Sequence, residues 1–204
     1  MTNASLTLYW ARNVCSLAPH IALREAGAAF DLVRVDLRTK LIEDGHPFEA
    51  ITPKRYVPAL RLADGSILTE LAVILHYVAD TYPDAALAPL HGTLERLRLD
   101  ERIHFVATEL HKGFAPFTIM PNAGAEAKAW AKDRLGKRIA LLADDLGDRP
   151  LFGGERFTIL DAYTFWAVST YRRLTQAELP PNLAAYVERV RARPSVKSAL
   201  DAEV

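Results

Sequence analysis

Few side chains in this sequence can do chemistry. Cys15 is the single cysteine in 204 residues. It stands between a strand pattern and a helix pattern. At a helix start, unpaired backbone N–H groups and the positive end of the helix dipole lower a thiol's pKa, and thiolate is the reactive form. A buried cysteine acting as a small hydrophobe fits the composition equally well. His111 is the second candidate. His104, Thr108 and His111 are spaced by four and three, which places them on one stripe of a helix. The two histidines then lie ~10 Å apart along the axis, too far to share a metal ion. The stripe reads as hydrogen-bond donors facing a cleft, or as ordinary half-exposed helix histidines. Val57-Pro58 comes just before a strand pattern. A cis bond would present the carbonyl and N–H of Val57 to a ligand, whereas a trans bond would only start the strand. Glu70 opens a helix pattern, where an acid complements the dipole. It could equally meet a ligand ammonium group while the N–H groups beside it receive a carboxylate. Together those two sites would suit an amino-acid-like zwitterion.

These residues need elements to hold them. Leu6, Leu8 and Trp10 alternate with Thr7 and Tyr9 as in a strand. Leu17, Ala18, Ile21, Ala22 and Leu23 have helical spacing, with Pro19 in the first turn and Gly27 as the stop. Val33, Val35 and Leu37 predict a second strand, parallel to the first and joined by a right-handed crossover. Residues 39–56 read as irregular with one short helix. Ala63-Asp64-Gly65 between two apolar runs signals a hairpin. Leu71, Ile74, Leu75 and Val78 then form a helical face that ends near Tyr82-Pro83. Two prolines and a glycine between 83 and 93 mark a break. Beyond it the periodicity is helical only. Leu99, Ile103, Val106, Leu110 and Phe114 form one stripe, and Leu135, Ile139, Leu142 and Leu146 another. A helix over 157–174 carries a start signal in Thr158 and Asp161, a variant of the capping box. Leu183, Tyr186, Val187 and Val190 form a last stripe before Pro194. The expected organisation is a small α/β domain over 1–84, a linker over 85–93 and an all-helical domain over 94–204.

Composition narrows the classes. The 25 basic and 25 acidic residues balance, so no long-range attraction draws the chain to nucleic acid or to an anionic membrane. No window approaches the ~20 apolar residues of a spanning helix, and the first residues lack the pattern of a secretory signal. One cysteine excludes an internal disulfide and a multi-thiolate metal site. A reduced, cytoplasmic protein without metal, nucleic-acid or membrane partners is expected. Phosphate loops, dinucleotide fingerprints, nucleophile elbows and metalloprotease helices are absent from the sequence.

Five blocks, in order and with compatible spacing, resemble bacterial beta-class glutathione transferases. They are the run from Cys15 through Pro19 and His20 to Glu25, then Val57-Pro58-Ala59-Leu60, Thr69-Glu70, Ala107 to Phe114, and Phe157 to Tyr163. The resemblance implies a thioredoxin-like N-terminal domain, an all-α C-terminal domain, a homodimer, and glutathione bound at the domain boundary as cosubstrate. It implies that Cys15 touches the glutathione sulfur and that His111 completes the thiol site. Lys40 matches a lysine at the glycyl end. Val57, ahead of a cis Pro58, matches the residue that pairs with the cysteinyl moiety. Glu70 and Leu71 match the pair at the γ-glutamyl end. His104 matches a polar residue that reaches glutathione across the dimer, and Thr108 and Glu109 fall in the same glutathione-binding segment. The Thr158–Asp161 pair matches a folding motif. Phe114, Phe117 and Trp166 are expected to line the pocket for a small hydrophobic electrophile. The implied activity is conjugation of glutathione to such electrophiles, or thiol–disulfide exchange through Cys15. A glutathione-dependent isomerase or dehalogenase would share the site. Three positions depart from the pattern. Leu71 stands where a small residue is usual, Arg55-Tyr56 replace Gly-Gln, and His104 replaces Asn. Crowding of the pocket by these residues implies an alternative, a non-catalytic ligand-binding dimer with a weakened glutathione site.

Overall fold

The computed structural model describes residues 6–203. They fall into two compact units, one of residues 6–88 together with 194–203 and the other of residues 89–193.

The first unit is a four-stranded sheet of order β2-β1-β3-β4 with helices packed on it. Strand β1 (Leu6–Trp10) is central, and all five of its residues are buried. Flanked on both sides, it hides the alternate positions too, so Thr7 and Tyr9 face protein rather than water. Helix α1 (Leu17–Glu25) follows. It ends at Gly27, whose φ of +64° lets the N–H of Ala28 reach back to the Leu23 carbonyl at 3.0 Å. Strand β2 (Phe30–Arg34) then pairs parallel with β1, Leu6 opposite Phe30. It therefore starts and ends earlier than the alternation at Val33, Val35 and Leu37 predicts. Val35 adds one more bond, donating to the Trp10 carbonyl at 2.7 Å. The Asp36 carboxylate then accepts from the N–H groups of Arg38 and Thr39 at 2.7 and 3.1 Å. That side-chain turn bends the chain before Leu37 can join the sheet. As expected, residues 39–56 are irregular, with one 3₁₀ turn at Phe48–Ala50. Strands β3 (Ala59–Arg61) and β4 (Ile67–Thr69) form the antiparallel hairpin. Its turn rests on Gly65 at φ +85° and on Asp64, which accepts from the Ser66 N–H at 2.9 Å. Helix α2 (Leu71–Thr81) closes the pattern.

The second unit is helical. Helix α3 (Leu94–Phe105) starts at a Thr93 cap that accepts from the Arg96 N–H. It runs directly into a π-helical turn, Val106–His111, and a 3₁₀ turn, Lys112–Phe114. The short α4 (Ala115–Thr118), the long α5 (Ala125–Leu146), α6 (Ile159–Thr175) and α7 (Pro181–Arg191) complete it. Both leucine-rich stripes expected here are buried. The Thr158–Asp161 box forms at the start of α6. Asp161 is fully buried, and its two carboxylate oxygens accept from Phe152 N–H at 2.8 Å and Thr158 N–H at 2.9 Å.

The last helix, α8 (Pro194–Ala202), departs from the expected domain boundaries. It clusters with the first unit rather than with residues 94–193. Val196 and Ala199 of α8 are buried, and a polar network joins this helix to α1. His20 is wholly buried, and its Nε2 accepts from Arg24 Nε–H at 2.8 Å. Its Nδ1–H is thereby left to donate to Glu203 at 2.9 Å. The Ser195 hydroxyl donates to Glu25 on the same helix. The division between the units, at Ala88 and Pro89, lies inside the stretch expected to be the linker.

Candidate active site

In the first unit the sheet delivers the candidate residues to one end. Trp10 ends β1, and β2 runs parallel to it and ends at Arg34. Ala59, at the start of β3, pairs with Tyr9 on one side and with Thr69, at the end of β4, on the other. Cys15, Lys40, Val57-Pro58 and Glu70 therefore all follow or precede strands at the same end of the sheet. Cys15 lies in the turn two residues ahead of α1. The turn is clamped by Ser16, whose hydroxyl donates to the Ala11 carbonyl and accepts from the Ala11 N–H, both at 3.1 Å. The thiol is buried at 8% exposure and donates to the Val57 carbonyl at 3.5 Å. The Val57-Pro58 bond is cis. Cys15 thus combines both readings of the sequence, being mostly covered yet set at a helix start.

Glu70 holds a φ of +70°, in the left-handed region that a side-chain-bearing residue seldom occupies. Such backbone conformations cluster at functional sites. Its carboxylate is exposed and accepts from Lys54 Nζ at 2.6 Å. Leu71 is the first residue of α2, and its N–H belongs to the group of donors that a helix start leaves without intrahelical partners. Its side chain is buried at 6% exposure. The expected crowding by Leu71 is therefore corrected, since the leucine packs inward as part of the core. Arg55 and Tyr56 are exposed, and Arg55 sits 3.9 Å from Glu49. Lys40 is half-buried at φ +60°, and its backbone bonds to Asp36 and Phe48 shape the loop after β2.

In the second unit the π-helical turn splits the expected stripe. A π turn holds more residues than an α turn, so His111 rotates off the line of His104 and Thr108. His104 and Thr108 are exposed and engaged along their own helix. His104 Nδ1–H donates to the Asp100 carbonyl at 2.7 Å, and the Thr108 hydroxyl donates to the His104 carbonyl at 2.9 Å. His111 is half-buried, with Nδ1 2.7 Å from the Tyr163 hydroxyl on α6. The single wall of donors is thus replaced by an exposed pair and a separate, oriented histidine. Glu109 is held by two guanidinium groups of α5, Arg134 and Arg138, each at 2.8 Å. Hydrogen bonds from Arg138 and Arg134 pull its carboxyl below the usual glutamate range.

The expected electrophile residues divide. Phe114 and Trp166 are buried in one aromatic group with His111, whose ring lies edge-on to Trp166 at 4.5 Å. Phe114 meets Trp166 at 5.9 Å. Phe117 is half-buried on α4. Sequence reasoning missed Ser16, Lys54, Tyr163 and the Arg134–Arg138 pair. Tyr163 had a legible signal, since it closes the Phe157–Tyr163 block. The others are partners defined only by folding. Among the described residues no group of three His, Cys, Asp or Glu is placed to hold a metal ion, and no helix is long and apolar enough to cross a membrane.

A thioredoxin-like sheet with a thiol at the start of its first helix and a separate helical unit defines a class of thiol-handling transferases. Comparison with known proteins makes the assignment specific. Residues 14–81 match the model of the glutathione S-transferase N-terminal domain, and residues 105–194 match that of the C-terminal domain. The chain belongs to the glutathione S-transferase family. It is 40% identical over 202 residues to glutathione S-transferase GstA of Escherichia coli O157:H7, covering 97% of this chain and 98% of the relative. The bacterial beta-class glutathione S-transferase of Sphingomonas chungbukensis superimposes with a TM-score of 0.90 at 44% identity, over 97% of this chain and 98% of that one. A sphingomonad glutathione S-transferase complexed with glutathione gives 0.89 at 39% identity, with the same coverage. This membership supports catalytic glutathione transfer over the non-catalytic alternative.

Proposed function

We propose that the protein is a beta-class glutathione transferase in which Cys15 and His111 act on the glutathione sulfur. The observation that carries this reading is the thiol itself, set at the start of α1 and bonded to the carbonyl ahead of cis-Pro58. Glutathione is a zwitterionic tripeptide. Glu70 takes its γ-glutamyl ammonium group, and the first N–H groups of α2, Leu71 among them, take the carboxylate beside it. The backbone of Val57 pairs with the cysteinyl unit, and Lys40 meets the glycyl carboxylate. His104 reaches the partner protomer's glutathione across the dimer, and Thr108 lies in the same glutathione-binding segment. Glu109 contributes by fixing the segment through Arg134 and Arg138 rather than by touching the tripeptide.

The chemistry is displacement on an electrophile. The glutathione sulfur forms a bond to the electrophilic carbon, the leaving group departs with its electron pair, and the thiol proton passes to His111 and on to water. Thiol–disulfide exchange uses the same groups. Cys15 thiolate then attacks the sulfur of an oxidised glutathione, forming a mixed disulfide and releasing one glutathione thiolate. A homodimer working in the cytoplasm on small hydrophobic electrophiles completes the proposal.

The test is glutathione binding by calorimetry under reducing conditions, on the wild type and on Cys15→Ala. Micromolar-to-millimolar binding by both supports glutathione as the ligand and leaves the cysteine for chemistry on sulfur. Folded wild-type protein that binds no glutathione overturns the proposal.

A further inference from the structure

Helix α6 carries Arg172 and Arg173 in its last turn, and α7 carries Arg191 in its own. The three line one cavity of about 290 Å³ within the helical unit, together with Ser169, Gln176 and Val187. No carboxylate is among the lining residues. Over the whole chain 25 basic and 25 acidic residues balance, so this excess of cations is local. A cation near a helix C-terminus complements the dipole, which accounts for each arginine singly. It does not account for three on one cavity, where like charges repel. Other arginines of the same unit meet acids: Arg102 pairs with Asp145, and Arg134 and Arg138 pair with Glu109. Arg172 and Arg191 have no ion pair among the described residues. Arg191 is nonetheless placed, since its guanidinium lies over the Phe165 ring of α6, 5.5 Å from the centroid. A stacked guanidinium engages its face and keeps its N–H edge for an acceptor.

We propose that this cavity is a binding site for a small phosphate-type oxyanion, held by Arg172, Arg173 and Arg191. The guanidinium fork matches the paired oxygens of a phosphoryl group, and each such bond is charge-assisted. Three permanent cations with no carboxylate beside them in the cavity suit a ligand of several negative charges. A diphosphate supplies these and a monocarboxylate does not. The volume stands at the small end of ligand sites, ~300–1,000 Å³, which fits a compact anion rather than a nucleic-acid strand. The phosphoryl group is either inorganic or the end of a phosphorylated small molecule. None of the lining residues is assigned to glutathione, so the site stands independently of the transferase reading.

The experiment is calorimetric titration of pyrophosphate, adenosine 5′-diphosphate and acetate into the full chain at one fixed ionic strength. The wild type is expected to bind both diphosphates, and acetate at least about 10-fold more weakly. Arg172→Gln and Arg191→Gln should each weaken diphosphate binding by roughly 10-fold or more, the worth of one charge-assisted bond. Arg38→Gln removes an exposed arginine of the first unit and should leave binding within about 2-fold, because screening confines the effect of a distant surface charge. Arg172 has no ion pair to lose, so Arg172→Gln should keep the wild-type urea midpoint without ligand, and its weaker binding then reports the site rather than the fold. Equal affinity for the two diphosphates supports an inorganic ligand, and tighter binding of the nucleotide supports a phosphorylated organic one. The proposal is overturned by no binding of either diphosphate, by acetate bound as tightly, by binding kept in either cavity variant, or by an equal loss in Arg38→Gln. None of these outcomes touches the transferase reading.

Discussion

Removing the Asp161 carboxylate should be the most damaging single polar change in the helical unit. Oδ1 accepts from Phe152 N–H at 2.8 Å, and Oδ2 accepts from Thr158 N–H and the Thr158 hydroxyl, both at 2.9 Å. Asp161→Ala leaves two buried backbone N–H groups without acceptors, at ~1–3 kcal/mol each. One gain opposes this. Burial pushes the Asp161 carboxyl up against the hydrogen bonds from Phe152 and Thr158, so removing the buried group relieves some desolvation. The net expectation is a loss of about 2–4 kcal/mol, a large share of the ~5–15 kcal/mol typical of folded proteins. Asp161→Asn keeps one oxygen for Phe152 but turns an NH₂ towards the Thr158 N–H, so it should lose roughly half as much. Urea unfolding followed by tryptophan fluorescence, without ligand and at one protein concentration, reads the difference. With a slope near ~2–3 kcal/mol/M, the alanine variant's midpoint should fall by about 1 M. A loss below about 1 kcal/mol in Asp161→Ala would refute the reasoning, because water must then reach the two N–H groups.

Three further outcomes follow from the same geometry. The Glu109 carboxyl is lowered by Arg138 and Arg134, so its contribution to stability is present above the ordinary glutamate pKa and is lost as pH falls through the lowered folded value. Glu203 is raised, burial outweighing His20 and Arg24, so its pH-linked contribution is present below the ordinary value and is lost as pH rises through the raised one. Urea midpoints from acid to neutral pH should show the wild-type advantage over Glu109→Gln growing with pH and that over Glu203→Gln shrinking; parallel curves for both would contradict the linkage. Tyr163→Phe removes the hydroxyl bonded to His111 at 2.7 Å. It should lower kcat/KM for conjugation about 3- to 10-fold, and combining it with His111→Ala should add nothing further, since the two act as a unit. Glu70→Gln should raise the glutathione KM at least about 10-fold through loss of a charge-assisted bond. It should shift the urea midpoint little, because the exposed Lys54 pair is worth only ~0–1 kcal/mol.

Much of this architecture is legible in the residues, and the failures have physical causes. Strand β1, the Asp64-Gly65 hairpin, the start of α2 and the Thr158–Asp161 box are written in local pattern and turn chemistry. The end of β2 is less visible, because the Val33–Val35–Leu37 alternation runs past the point where Asp36 turns the chain. Helix α8 looks like one more helix in a helical half. The pairing of His20 with Glu203, 183 positions apart, and the Ser195 bond to Glu25 tie it to α1. The π turn at Val106–His111 has no signature that periodicity can detect, since the apolar stripe through Val106 and Leu110 stays buried across it. What the turn changes is the direction of His111. The site residues themselves are legible as types, whereas their partners Ser16, Lys54 and Tyr163 require the fold.

If glutathione binds as proposed, the role of the backbone means that the departures at Leu71 and Arg55-Tyr56 should do less harm than their side chains suggest. A tripeptide ligand presents amide and carboxylate groups, and in the proposed site the complementary groups of the first unit are largely main-chain: the peptide of Val57 ahead of cis-Pro58 and the first N–H groups of α2. A main-chain donor is indifferent to the side chain it carries, provided that side chain has somewhere to go. Leu71 goes into the core, and Tyr56 stays 71% exposed. The strained backbone at Glu70, φ +70°, belongs to the same logic. It sets the acid immediately before the first N–H groups of α2, so that an ammonium acceptor and a carboxylate donor set become neighbours. Of the side chains proposed to meet the ligand, Glu70 and Cys15 are kept, and the departure at His104 falls on an exposed side chain whose Nδ1–H already donates to the Asp100 carbonyl.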